Sequence, residues 1–291
     1  MDWITGPGTI EDLVADSKRV GYLATVRLVR DWTEAGLLDV PQRRPAGKGH
    51  GSHRALYPAN QRRLLLTLLH HRQTHRIRTL ARIPVSLWTY WGNDYVPTRQ
   101  AIRALRTWLG DARSTQKNAR ISAGQILGTL DHPDATDEAR QELRDALTNV
   151  AWTGRMDPEL DRKIRSVFEP HTVKIRRALG HPSAPLTSDT IIGLIDARLK
   201  AVTLLNDPAA DPEPLLEEAR QHHLQSLAEY AGQQKQMARV APSSNPDMYA
   251  PLTLPGMIDT VCIDLLTVLG LTVARRHAHE TRSATPDQSV I

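Results

Sequence analysis

Residues 24–38 read ATVRLVRDWTEAGLL, and this stretch decides how the front of the chain is read. Thr25 can cap a short helix carrying Val26, Arg27, Leu28, Val29, Arg30, Asp31 and Trp32. Gly36 ends it, and Leu37 and Leu38 return the chain to a core. Upstream, Ile10, Leu13 and Val14 mark the apolar side of a first helix. Downstream, Pro41, Pro45, Gly47, Gly49 and Gly51 lie between two apolar segments, Leu37 to Val40 and Ala55 to Tyr57, which predicts a short two-stranded hairpin. A helix from about Ala59 to Thr74 follows, with Leu64, Leu65, Leu68 and Leu69 on its apolar side. Two helices, a tight turn and a basic hairpin are the parts of a winged helix-turn-helix, whose second helix reads the major groove of duplex DNA.

The segment resembles the N-terminal domain of the MerR family. That family's recognition helix has a Ser or Thr cap, an Arg two residues on, a second Arg three residues later, an aromatic pair and then Gly-Leu-Leu. Here those places fall on Thr25, Arg27, Arg30, the pair Asp31 and Trp32, and Gly36, Leu37 and Leu38. The family's Pro-x-Arg approach to the wing corresponds to Pro41 and Arg43, and its Gly, Arg, Tyr exit to Gly51, Arg54 and Tyr57. The resemblance covers about a quarter of the chain. This chain departs from the pattern in a longer stretch from Ile10 to Thr25, in Asp31 for the first aromatic, and in a longer wing. The resemblance implies a homodimer on double-stranded DNA at a pseudo-palindromic promoter. Thr25, Arg27, Leu28, Arg30, Arg43, Arg44, Lys48, His50, His53, Arg54 and Tyr57 would be the contacts. Trp32 is expected in the core of that domain.

Charge points the same way. The chain of 291 residues carries a formal net charge of +5, with a pI near 9.5. From Val40 to Asn93 there is no Asp or Glu, while ten Lys and Arg fall there, among them Arg62, Arg63, Arg72, Arg76, Arg78 and Arg82. A basic front half suits a polyanion. Lys48 between Gly47 and Gly49 is not a nucleotide-binding loop, which needs Ser or Thr after the Lys.

The remainder is expected to be all helical, giving a mainly α protein. The divisions expected are a DNA-binding domain at 1–75, an aromatic connector and helix at 76–111, an all-α domain at 112–280 and a disordered tail at 281–291. Helices are expected near Thr98 to Asp111, Thr136 to Val150, Pro158 to Val167, Pro170 to Leu179, Ser188 to Asn206 and Pro212 to Val240, with Asp134 or Thr136 capping the second. The apolar run Met257 to Ala274, broken by Asp259 and Asp264, is read as a buried helix and not a membrane span. The helical domain would serve self-association or a small-molecule effector or protein partner.

Trp88, Tyr90, Trp91 and Tyr95 form the densest aromatic cluster. They would either dock the connector as core or line an effector pocket. His71 and His75 share a helix face, but without a thiol or acid nearby no metal is expected. The single Cys262 excludes an internal disulfide and fits a reducing compartment, so with no secretion signal in view a bacterial cytoplasmic, nucleoid-associated protein is expected. Asp131, Asp134 and Asp137 read as caps, and no residue constellation points to an enzyme or a cofactor. Beside a transcriptional regulator, two alternatives stay open: an architectural or recombination accessory factor, excisionase-like or for partition, and a ligand-sensing helical domain with a DNA-binding module.

Overall fold

The computed structural model describes residues 3–45, 52–110, 115–130, 136–168, 188–239 and 249–284. The protein is mainly helical with one small two-stranded antiparallel sheet, and it divides into two compact units, Met1–Gly110 and Asp111–Ile291.

The first unit opens with α1 (Ile10–Arg19). Thr9 and Asp12 close a capping box around its start: the Thr9 hydroxyl accepts from the Asp12 N–H at 3.3 Å, and the Asp12 carboxylate accepts from the Thr9 N–H at 2.7 Å. After a turn, Thr25 caps α2 (Val26–Glu34), its hydroxyl accepting from the Leu28 N–H at 3.1 Å. Strands β1 (Gln42–Pro45) and β2 (Ser52–Leu56) pair antiparallel, with Arg44 opposite His53 and an irregularity between Gln42 and Arg44. The first strand thus starts later than the Leu37 to Val40 segment expected from sequence. Leu37 and Leu38 are fully buried, so hydrophobic burial draws them into the core and not onto a solvent-facing hairpin. Tyr57 extends β2 by pairing with Gly8 through bonds of 2.8 and 2.9 Å.

Helix α3 (Ala59–Arg72) buries Leu64, Leu65, Leu66, Leu68 and Leu69. Then come α4 (Ile77–Leu80), α5 (Arg82–Trp91) and α6 (Thr98–Leu109). The stretch read as a connector is therefore helical and belongs to the first unit, which runs to Gly110 and not to 75. Pro84 sits in the first turn of α5, where a helix has no intrahelical use for the missing N–H, and Pro97 precedes the first residue of α6.

A buried polar network ties α6 to the chain leaving α2. The Asp39 N–H donates to Gln61 Oε1 at 2.8 Å, Gln61 Nε2 to Gln100 Oε1 at 2.8 Å, and Gln100 Nε2 to the Leu37 carbonyl at 3.0 Å. The Asp39 carboxylate accepts from Arg99 at 2.6 and 3.1 Å and from Arg103 at 3.1 Å. Burial alone would raise the pKa of Asp39, but the Arg99 hydrogen bonds, the Val40 N–H and the arginine charges outweigh it and hold the carboxyl below its ordinary value.

In the second unit, α7 (Gln116–Leu130) is a helix that sequence periodicity did not reveal. It buries Ala119, Ala123 and Leu127, an i, i+4 stripe of mostly small residues that gives little apolar signal. Helix α8 (Asp137–Thr153) has the Thr136 cap expected of it, accepting from the Ala139 N–H at 3.2 Å. Asp137 lies in its first turn; Asp131, Asp134 and the helix expected at Pro170 to Leu179 lie outside the described residues. One core joins α7 and α8 to α9 (Pro158–Phe168) and α10 (Ser188–Asn206) through Leu127, Leu143, Leu147, Leu160, Ile164 and Ile195.

Helices α11 (Glu213–Ala238) and α12 (Leu254–Ala284) complete the unit. By length and composition α12 is apolar enough to cross a membrane, yet more than half of its most apolar window is buried within the unit, against α10 and α11. Its helix continues through Ala284, so the tail expected to be disordered from 281 is helical in its first residues. Glu280, Arg282 and Ala284 are polar or small but good helix formers.

His223 on α11 is 2% exposed, and burial pushes its pKa down to about 4 from the ordinary 6.5. The unfolded chain takes up a proton as pH falls below 6.5 while the folded unit keeps His223 neutral. The stability that depends on a neutral His223 is therefore expected to be full above pH 6.5 and to fall by about 3 kcal/mol as pH drops toward 4. Urea denaturation at stepped pH should show this loss in the wild type and a shallower one in His223→Gln; identical slopes would contradict it.

Candidate nucleic-acid interface

Helix α2 has two faces because its inward residues fall three apart. Val29 and Trp32 are buried, whereas Arg27, Arg30, Asp31 and Glu34 are exposed on the opposite side. The Arg27 side chain is 92% exposed, with its Nε 3.9 Å from Asp31 Oδ2 one turn on. A pair so exposed is worth little and leaves the guanidinium available to an outside acceptor. Leu28 is half-buried, and Thr25 is exposed with its hydroxyl engaged in capping.

The hairpin adds a second set of cations. Arg54 on β2 is exposed and lies 3.7 Å from Glu11 Oε2 at the start of α1, and Arg43 on β1 is exposed as well. Glu11 is held ionised: the backbone N–H at the helix start lowers its pKa most, then the Thr9 hydroxyl, with Arg54 adding its charge. Arg44 and His53 are backbone partners in the β1–β2 register. Lys48 and His50 lie outside the described residues.

A cleft of about 440 Å³ connects the two sets. Arg30 and Glu34 of α2 line one side, Arg54 and Ala55 of β2 another, and Thr9 and Glu11 the end of α1. Sequence reading placed Arg30 and Arg54 among the contacts but missed Thr9 and Glu11, which are distant in sequence from both.

Tyr57, among the expected contacts, also lines this cleft but is almost wholly buried. It is 3% exposed, and its hydroxyl meets Thr33 Oγ1 at 3.0 Å. Thr33 already donates to the Val29 carbonyl at 2.8 Å, so Tyr57 is the donor. Burial pushes the phenol pKa up, keeping that proton in place. Tyr57 is thus a strut that fixes the hairpin against α2, lining the floor of the cleft with only 3% of its surface exposed.

The acid-free run is not one cationic surface either. Arg62 donates to both oxygens of Asp16 at 2.8 and 3.0 Å and to the Gly6 carbonyl at 2.8 Å. Arg63 donates to the Ile4 carbonyl at 2.7 Å, and Arg72 lies over the Trp32 ring at 5.9 Å. Asp16, the acid that pairs with Arg62, lies outside the run in sequence and meets it only on folding. Trp32 is buried in the core as expected.

The aromatic cluster divides between core and surface. Trp88 is fully buried, and its indole N–H donates to Asn93 Oδ1 at 3.1 Å and Thr98 Oγ1 at 3.2 Å. Trp91 and Tyr95 are exposed, and Tyr90 packs edge-on to Trp91 at 6.1 Å. The four therefore do not converge on one effector pocket. His70, His71 and His75 pack edge to face at 5.2 and 6.0 Å, and among the described residues no group of three His, Cys, Asp or Glu is placed to hold a metal ion. Comparison with protein-family profiles, with curated proteins and with solved structures finds no match.

Proposed function

We propose that this protein is a sequence-specific transcriptional regulator of double-stranded DNA, binding through a MerR-like winged helix-turn-helix in its first unit. Helix α2 enters the major groove with Arg27 and Arg30 toward the bases, and the β1–β2 hairpin lies along the backbone with Arg43 and Arg54 on phosphates. The observation that carries this reading is the cleft that Arg30 and Arg54 share. It sets an outward arginine of a capped helix beside an arginine of the hairpin, the pairing a duplex needs for base readout and backbone clamping together. Self-association through the second unit would supply the two-fold symmetry of a palindromic operator.

Selection from a random duplex pool with the full chain tests it. An enriched consensus is expected. Arg27→Ala should then cost about 1 to 3 kcal/mol on the consensus and relax one base position, while Arg54→Ala should weaken consensus and random duplex alike and reduce the salt slope by about 1. No enrichment, or unchanged affinity for Arg27→Ala, would defeat the reading. Bound sites mapped in the native genome should fall before genes; clustering at a recombination or plasmid locus would instead favour an accessory role.

A further inference from the structure

The turn between α1 and α2 holds an apolar side chain out in solvent. Leu23 is 86% exposed, the most exposed of the large hydrophobic residues described. It does not sit on a loose loop. The Gly21 N–H donates to the Lys18 carbonyl at 3.0 Å and the Tyr22 N–H to the Ser17 carbonyl at 2.8 Å. The Ala24 N–H donates to Ser17 Oγ at 3.3 Å, and that hydroxyl donates to the Val14 carbonyl at 2.8 Å. The Tyr22 hydroxyl reaches His70 Nδ1 of α3 at 3.0 Å, and Ala24 is buried. With both neighbours pinned, Leu23 cannot turn inward. Exposing it costs hydrophobic free energy that nothing in the unit recovers.

Its surroundings select the occupant. From Ser17 to Arg30 there is no acidic residue, while Lys18, Arg19, Arg27 and Arg30 are all exposed. Leu23 and the 40% exposed Val20, flanked in sequence by these cations, fall short of the contiguous apolar patch that a protein-docking face carries. Leu23 in this setting matches the DNA major groove, where the thymine C5-methyl is the apolar feature among polar base edges and phosphates. Leu23 also lies three residues before the first residue of α2, at the end that enters the groove.

We propose that Leu23 is a specificity-determining residue that packs on the C5-methyl of a thymine next to the base read by Arg27. The inference rests on the DNA-binding reading above and goes beyond it by assigning a base. The test uses the full chain and its selected duplex, with each thymine replaced in turn by deoxyuridine, which lacks only that methyl. At one position the wild type should lose about fourfold in affinity, the value of one buried methyl-sized contact. Leu23→Ala should lose a similar factor on the thymine duplex and be indifferent to deoxyuridine at that position, the non-additivity that marks a direct contact. Far-UV circular dichroism checks that the variant is folded, as removal of an exposed side chain predicts. If Leu23→Ala keeps every deoxyuridine penalty of the wild type, or if the consensus holds no thymine, the Leu23 assignment falls while the weakening by Arg27→Ala keeps the DNA reading standing. If the wild type selects no duplex, both fall together.

Discussion

Gly36→Ala is expected to destabilise the first unit by roughly 3 kcal/mol or more, from two costs that act together. Gly36 has φ +74°, a left-handed conformation that disfavours any side chain. A methyl there would also lie 2.5 Å from the Ala104 nitrogen and 2.7 Å from the Arg103 carbonyl carbon, both backbone atoms of α6 that cannot swing aside. Shifting α6 would in turn strain the Gln61, Gln100 and Asp39 network and the 2.7 Å bond from Thr107 Oγ1 to the Ala35 carbonyl. Tryptophan fluorescence during urea denaturation is the measurement, since five of the six tryptophans precede Gly110. Gly21→Ala separates the two costs. Gly21 has φ +83° but open space around it, so it should lose only about 1 to 2 kcal/mol. Equal losses in the two variants would mean that α6 does not pack on the Gly36 turn.

Gly270→Ala is the corresponding expectation for the second unit, also roughly 3 kcal/mol or more. Here the cause is close approach alone. A methyl on α12 at this position would collide with the Ala197 carbonyl oxygen and carbon, in the backbone of α10. Relief requires the helices to part by about 1.5 Å or more, which forfeits contact along the whole interface. The buried Arg198 would be pulled from Thr267, to whose hydroxyl its Nε donates at 3.0 Å, and burial already lowers the Arg198 pKa to about 10. Gly193→Ala on α10 is the control: it has open space, so the better helix former should stabilise by about 0.5 to 1 kcal/mol. Thermal melting followed by circular dichroism distinguishes the two, and a neutral Gly270→Ala would contradict the packing.

The legible parts of this protein are those whose signal is local. Thr25 and Thr136 cap helices where sequence put them because capping is a bond across three residues. Leu64, Leu65, Leu68 and Leu69 were readable as a buried face because periodicity reports burial directly. Helix α7 was not readable, since its inward stripe is largely alanine. Helix α5 was read as an aromatic connector, because aromatic residues crowded into ten positions carry no clear helical period.

For the candidate site, sequence supplied Arg27, Arg30 and Arg54 but not their arrangement. It also offered the acid-free run as a surface, which folding redirects, and Tyr57 as a contact, which folding buries at the floor of the cleft. Tyr57 turns inward because its hydroxyl finds Thr33 twenty-four residues away. Arg62 turns inward because Asp16 lies across the fold.

Sequence by itself determined the helical character, the Thr25 and Thr136 caps, the order of helix, turn, helix and hairpin, and the identity of the outward arginines on α2. Those are properties of residues within a few positions of one another. Tertiary structure alone decided which cations remain available, that α4 to α6 belong to the first unit, and that α1 contributes Thr9 and Glu11 to the cleft. Pairing of charges and exclusion of water depend on residues brought together from far apart, and no local pattern records them.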